Sequence, residues 1–241
     1  MSFIIFHVPH SSLKIPSIYW NICLKDKKYI EKLNLFMSDY IVDRLLPERS
    51  KRIVFKYSRL FCDVERFKDD NKEKMAEKGM GIIYTKDFEN TITIPNNKYK
   101  NIVIKSYYDK HHNKLDKKVT DVLNKYDKCI LIDFHSYSDE MTKKLFNSAN
   151  NPDICIGTDS FYTSKKLKEF TINHFKKYGY TVYENSPYSG TMIPNKYFNK
   201  KDNRLSSIMI EINKRVYLND RDDYLKLKDC IEDYYNKLLS Q

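Results

Sequence analysis

The sequence predicts an α/β protein built in three layers, α/β/α, around a mixed, mostly parallel central sheet. Three observations lead there. Short apolar runs at 3–8, 53–57, 130–134, 154–156, 180–183 and 208–212 are rich in β-branched and aromatic residues, as in strands buried on both faces. Segments with helical period lie between them, and strands alternating with helices place helices on both sides of a sheet. A chain of 241 residues also suits one domain, and at that size roughly 70% of the unfolded surface is buried without disulfide staples. The expectation is a single domain over 1–241.

In chain order, the first run ends in His7-Val8-Pro9-His10-Ser11-Ser12. The stretch between residues 13 and 37 reads as an insertion. At 38–46, Tyr40, Ile41, Arg44 and Leu45 fall at helical spacing behind Ser38 as a cap. The second run, 53–57, precedes the lysine-rich stretch 68–78, which reads as a mobile excursion. A long helix is expected over 100–125, where Ile102, Ile104, Tyr108, Leu115, Val119 and Leu123 line up. Further helices are expected over 164–178 and 222–239. There is no internal repeat and no linker-like composition.

The formal charge of +11 raises the possibility of nucleic acid, but the lysines are spread along the chain and mixed with acids, as in Lys68-Asp69-Asp70-Asn71-Lys72-Glu73-Lys74. A nucleic-acid footprint concentrates its basic residues instead, so solvated lysine-rich faces are the reading, with long-range attraction of anionic substrates as a side effect. The five cysteines include no CxxC pair, and Cys129 and Cys155 sit in apolar runs, which indicates buried thiols in a reducing compartment. The N-terminal stretch lacks a secretory pattern, and no apolar run approaches the ~18 residues a membrane helix needs. A cytoplasmic location is expected.

Reactive groups in such sheets gather where strands end. The first strand ends near His10, a central strand ends in Asp133-Phe134-His135-Ser136-Tyr137, and the last carries Glu211 inside Ile208-Met209-Ile210-Glu211-Ile212. An ionised glutamate buried in an apolar run costs several kcal/mol unless it is paired or near a metal (about that much per ion). Two histidines with a carboxylate make a three-ligand zinc site with a position open to water, and Glu211 is then a general base for that water. Each residue has a plainer use: a strand-end histidine is often structural, and a strand glutamate can face solvent at an edge.

Laid in order, Pro9-His10-Ser11-Ser12, Ser38-Asp39, Asp43-Arg44-Leu45, Cys62-Asp63-Val64-Glu65-Arg66-Phe67, Tyr107-Tyr108 with His112, Ile132-Asp133-Phe134-His135-Ser136, Ile156-Gly157-Thr158-Asp159, Pro187-Tyr188-Ser189-Gly190 and Ile210-Glu211-Ile212-Asn213 resemble the blocks of the N-formylglutamate amidohydrolase family. That family is similar to the zinc carboxypeptidase and aspartoacylase group, so the resemblance implies a zinc-exopeptidase-like (phosphorylase/hydrolase-like) fold and a single Zn2+ ion. It implies His10 and His135 as metal ligands, and Glu211 and Arg66 as catalytic residues. Arg66 would also grip a substrate carboxylate, as a guanidinium fork does. Where carboxypeptidases have His-x-x-Glu, the residue three after His10 is Leu13, so the carboxylate ligand comes from elsewhere. Asp39, taken as opening a helix, is preferred, with Asp63 and Glu65 as competitors. Arg59 is a second candidate anion anchor, His112 a substrate- or ligand-orienting group, and Tyr188 and Gly190 a loop over the pocket. Each of these four also has a packing, surface or turn explanation.

The implied activity is metal-dependent hydrolysis of the amide of an N-acyl amino acid, with a small carboxylate-bearing amide as partner and no membrane. Two alternatives stand beside it. One is a zinc carboxypeptidase-like peptidase on short or cell-wall peptides. The other is a basic nucleic-acid-binding or adaptor protein on a relic hydrolase fold, which predicts salt-sensitive retention on nucleic acid.

Overall fold

The computed structural model describes residues 2–95, 98–147 and 150–240. The chain divides into two compact units, one made of 1–8, 41–53 and 115–241, the other of 9–40 and 54–114.

The first unit holds the sheet. Its strands are β1 (Ile4–Val8), β2 (Lys51–Val54), β3 (Cys129–Tyr137), β4 (Ile154–Gly157), β5 (Val182–Glu184) and β6 (Leu205–Asn213), in the order β2-β1-β3-β6-β4-β5. β1 and β6 both run parallel to β3, β4 runs antiparallel to β6, and β5 is parallel to β4. This is the mixed, mostly parallel α/β/α architecture expected. The long central strands β3 and β6 are buried almost throughout, which is why they read as unbroken apolar runs.

Register and alternation sort the strand residues onto two faces. One face carries Ile4, Phe6, Ile132, Phe134, Ile208, Ile210, Ile154 and Ile156. Helix α8 (Arg221–Leu239) packs there: its Tyr235 ring lies 6.0 Å from Phe6, and Phe6 meets Phe134 edge-on at 5.7 Å. The other face carries His7, Asp133, His135, Ser207, Met209, Glu211, Cys155 and Gly157. One side of the sheet is therefore an ordinary core and the other is lined with reactive groups. Helices α5 (Asp139–Phe146) and α7 (Arg215–Leu218) belong to this unit too, and helix α6 (Lys165–Lys177) is capped by Ser164, whose Oγ accepts from the Leu167 amide.

The second unit is built on α1 (Ser17–Trp20), α2 (Lys27–Met37), short 3-10 turns at Asp70–Lys72 and Lys74–Ala76, and α3 (Lys100–Val103). A π-helical turn at Ile104–Tyr108 continues α3 into α4 (Asp109–Tyr126). Ile30, Leu33, Asn34 and Met37 form the buried stripe of α2. Asn34 ties three segments together, donating to the Leu13 carbonyl and accepting from the hydroxyls of Ser38 and Ser58.

Several expectations change. The helix is at 27–37, inside the supposed insertion, and not at 38–46. Ser38 follows its last turn, and Ile41 takes a left-handed backbone (φ 53°) that stops a helix before the 3-10 turn Val42–Leu45. Asp39 therefore does not open a helix. The second strand lies at 51–54 instead of 53–57. The lysine-rich stretch 68–78 folds around buried Glu73, whose carboxylate accepts from the amides of Phe67 and Met75. Cys62, Cys129, Cys155 and Cys230 are buried thiols. Among the described residues no helix is long and apolar enough to cross a membrane.

Candidate active site

In the second unit the chain leaves β1 through Pro9 to His10, whose carbonyl accepts from the Asp39 amide at 2.9 Å. The His10 ring is buried, with Nε2 donating to Asp63 Oδ1 at 2.9 Å. Its Nδ1 side faces two carboxylates, Glu65 Oε2 at 3.6 Å and Asp39 Oδ2 at 3.8 Å. Asp63 is fully buried and heavily shared. Oδ1 also accepts from the Glu65 amide (3.1 Å), and Oδ2 accepts from Arg59 Nη2 (2.9 Å) and the Tyr84 hydroxyl (2.7 Å). Burial pushes the Asp63 carboxyl up, but the charges of Arg66, His10 and Arg59 outweigh it and hold the group well below the usual carboxylate range.

Arg66 lies three residues on. Its Nε donates to the Met80 carbonyl at 3.2 Å and its Nη2 reaches the Tyr84 hydroxyl at 3.4 Å, so the Nη1 edge is not used by the described residues. Its side chain is 20% exposed and that of Arg59 15%, so both guanidinium groups sit at the border between protein and solvent. Arg59 is thus an embedded residue of the site and not a surface one. His112 lies behind the same loop: its Nε2 donates to the Val64 carbonyl at 2.7 Å while its ring packs on Tyr108 at 4.2 Å. Tyr108, at the end of the π-helical turn, donates to the Arg66 carbonyl. The helix therefore holds the 63–66 loop by its backbone.

In the first unit the centre is Asp133. Its Oδ1 accepts from His7 Nδ1 at 2.8 Å and lies 3.1 Å from His135 Nε2, while Oδ2 accepts from the Met192 amide at 2.9 Å. Burial pushes this carboxyl up, and His135 and His7 more than offset it, so it is held low. Glu211 pairs in register with His135 across the central β3–β6 ladder, which puts both side chains on one face. It is 8% exposed, which rules out an edge-facing surface residue.

The loop with Tyr188 and Gly190 lies along this face. Asp133 holds it at Met192, the Ser207 hydroxyl donates to the Met192 carbonyl, and Cys155 Sγ donates to the Tyr188 carbonyl at 3.2 Å. Burial pushes the Cys155 thiol up to about 12, so it stays protonated for that bond. Gly190 adopts φ +84°, a backbone suited to glycine, and Gly157 leaves the space: a Cβ there would sit 2.2 Å from the Gly190 carbonyl oxygen. Tyr188 packs against Tyr137 at 5.4 Å.

Three contributors were not assigned from the sequence. Asp133 and Gly157 stood in recognised blocks without a role. Tyr84 belongs to no recognised block; the signal for it is the apolar run Met80-Gly81-Ile82-Ile83-Tyr84 directly after a lysine-rich stretch, which marks a buried segment.

His10 and Glu65 in one unit, and His7, Asp133 and His135 in the other, are residues whose donor atoms could hold a metal ion. Carboxylate-supported imidazoles and largely buried guanidinium groups thus stand on an α/β/α scaffold. Residues 2–218 match the N-formylglutamate amidohydrolase family. The chain belongs to that family and is an amidohydrolase, a hydrolase of amide bonds. Its fold is similar to that of N-formylglutamate amidohydrolase from Ralstonia eutropha JMP134, with TM-score 0.83 and 18% identity over 98% of this chain and 92% of that one. It is also similar to a gene product of Agrobacterium tumefaciens, with TM-score 0.70 and 17% identity over 98% and 90%. No curated protein matches the sequence.

Proposed function

We propose that this amidohydrolase is metal-dependent, that it cleaves the amide of an N-acyl amino acid of the N-formylglutamate type, and that residues 1–241 act as one catalytic domain. The observation that carries the reading is the pair of buried imidazole–carboxylate supports, Asp63 on His10 and Asp133 beside His135. Such partners fix the tautomer and direction of a metal-binding imidazole.

The donor chemistry fits a zinc-type ion: neutral imidazoles plus a carboxylate. His10 and His135 are the proposed ligands, each a buried imidazole with a buried carboxylate beside it. The carboxylate ligand is drawn from Asp39 and Glu65, the two groups facing His10 Nδ1. Asp63 serves the ring instead, because its oxygens are already committed. A divalent ion held there would lower the pKa of a water toward about 7 and polarise a carbonyl.

The chain's own residues do the rest. Glu211, on the same sheet face as His135, accepts the proton of the attacking water on its carboxylate and returns it to the leaving amine nitrogen. The C–N bond breaks, and acid and amine depart, formate and glutamate in the N-formylglutamate case. Arg66, assisted by Arg59, holds the substrate carboxylate so that the acyl end is placed for attack. The Tyr188–Gly190 loop, pinned along the sheet face that carries Glu211, is the proposed cover of the pocket.

Metal analysis of the purified protein with a formate-release assay on a panel of N-acyl amino acids tests this. Stoichiometric divalent metal, with turnover that chelation abolishes and metal restores, is the expected result. Full turnover after exhaustive chelation rejects the metal-dependent reading.

A further inference from the structure

Tyr84 has no role in what the family match or the proposed chemistry assigns, yet it is the point where both arginines meet. Its side chain is 2% exposed. The hydroxyl donates to Asp63 Oδ2 at 2.7 Å, accepts from Arg59 Nε at 3.2 Å and lies 3.4 Å from Arg66 Nη2. The Arg59 guanidinium also stacks 5.9 Å from the Tyr84 ring centre. The segment bearing Tyr84 is bound to the same loop by its backbone, because Ile82 O accepts from the Asp63 amide and Met80 O from Arg66 Nε.

We infer that Tyr84 is a positioning residue that sets the two guanidinium groups for a substrate carboxylate, acting through the oxygen of Asp63 that His10 does not use. This rests on the carboxylate-anchor role proposed for Arg66 and Arg59. The reasoning is one of geometry. A phenol oxygen can donate once and accept twice. Here the donor is spent on Asp63, so its lone pairs are directed at the arginines. Without it Arg59 keeps Asp63 and the Met37 carbonyl, Arg66 keeps the Met80 carbonyl, and both guanidinium groups relax toward the Asp63 carboxylate, away from a ligand. Burial pushes the phenol pKa up, with the Asp63 charge acting in the same direction and the two arginines opposing, so the group remains a donor at neutral pH. The division of labour within Asp63 follows: Oδ1 belongs to His10 and Oδ2 to the anion anchor.

The test is Tyr84→Phe, which removes one oxygen and keeps the ring. Formate release is measured with N-formylglutamate and with its neutral dicarboxamide. The expected result is a KM for the dicarboxylate raised about 10-fold, the scale of one hydrogen bond to a charged group, with kcat and metal content near wild type and the neutral substrate unaffected. Equal losses on both substrates, or an unchanged KM, overturn the inference. Calorimetric binding of glutarate separates this from the proposed reaction. If the wild type hydrolyses nothing on the panel but binds glutarate, and Y84F weakens that binding about 10-fold, the reaction reading fails and the role of Tyr84 stands. No glutarate binding by wild type overturns it. Should Y84F not fold, Asp63→Asn keeps the side-chain shape and is expected to raise KM for the dicarboxylate and weaken metal retention together; unchanged KM in that variant also overturns it.

Discussion

Asp63 accepts a 2.9 Å hydrogen bond from His10 Nε2 with one oxygen while its other oxygen binds Arg59, so one buried carboxylate serves an imidazole and a guanidinium at once. Replacing Asp63 by Asn keeps the shape and removes the charge. Metal affinity, read by competition with a chromogenic chelator, is expected to fall ~10–100-fold, the usual cost of losing such a partner. Affinity unchanged from wild type would show that Asp63 does not support His10 in this way.

Glu211→Gln is expected to leave metal content near stoichiometric and to lower kcat by about 10²–10⁴, the range for losing a general base. Mass-spectrometric metal analysis and formate release on the same preparation check it. A normal rate removes Glu211 from the proton transfers.

Arg66→Ala should weaken the carboxylate-bearing substrate far more than its neutral carboxamide, and Arg66→Lys should not restore it, since an ammonium lacks the planar fork. Steady-state KM values for the two substrates decide this. Equal losses on both would count against the anchor.

Gly157→Ala would place a methyl 2.2 Å from the Gly190 carbonyl oxygen and 2.4 Å from Met209 Cε. Destabilisation of about 1–3 kcal/mol is expected from such overpacking, seen as a lower urea midpoint, along with a higher KM as the 188–192 loop is pushed off the sheet. A wild-type midpoint would mean the loop yields without cost.

His174 is buried between α6 and α8, its Nε2 donating to the Cys230 carbonyl at 2.9 Å. Burial depresses its pKa, with the Cys230 bond opposing. The unfolded chain therefore takes up this proton first as pH falls. The contribution of neutral His174 is fully present above the unfolded value of about 6.5 and is lost as pH drops below it toward the folded value. Unfolding midpoints between pH 8 and 5 should fall more steeply in wild type than in His174→Gln; identical slopes would refute the assignment.

How much of this was legible beforehand depends on the range of the interaction. β3 and β6 were visible because burial on both faces removes polar alternation, and Glu211 stood out against that background. The helix at 27–37 has its buried residues at helical spacing too, but the lysines opening it masked the pattern. The supposed helix at 38–46 had the spacing without the backbone, since nothing in the local composition announces a left-handed Ile41. The role of Asp63 could not be read locally at all: its partners lie 53 residues before it in His10 and 21 after it in Tyr84. Motif order located the carboxylate, and only the folded chain shows what it binds.

The chain changes unit at four junctions, after Val8, Tyr40, Ile53 and Lys114. Recombination that imported a different arginine-bearing half would have to splice all four at once, the last of them inside a helix. Neither unit can therefore be exchanged as one continuous segment of chain.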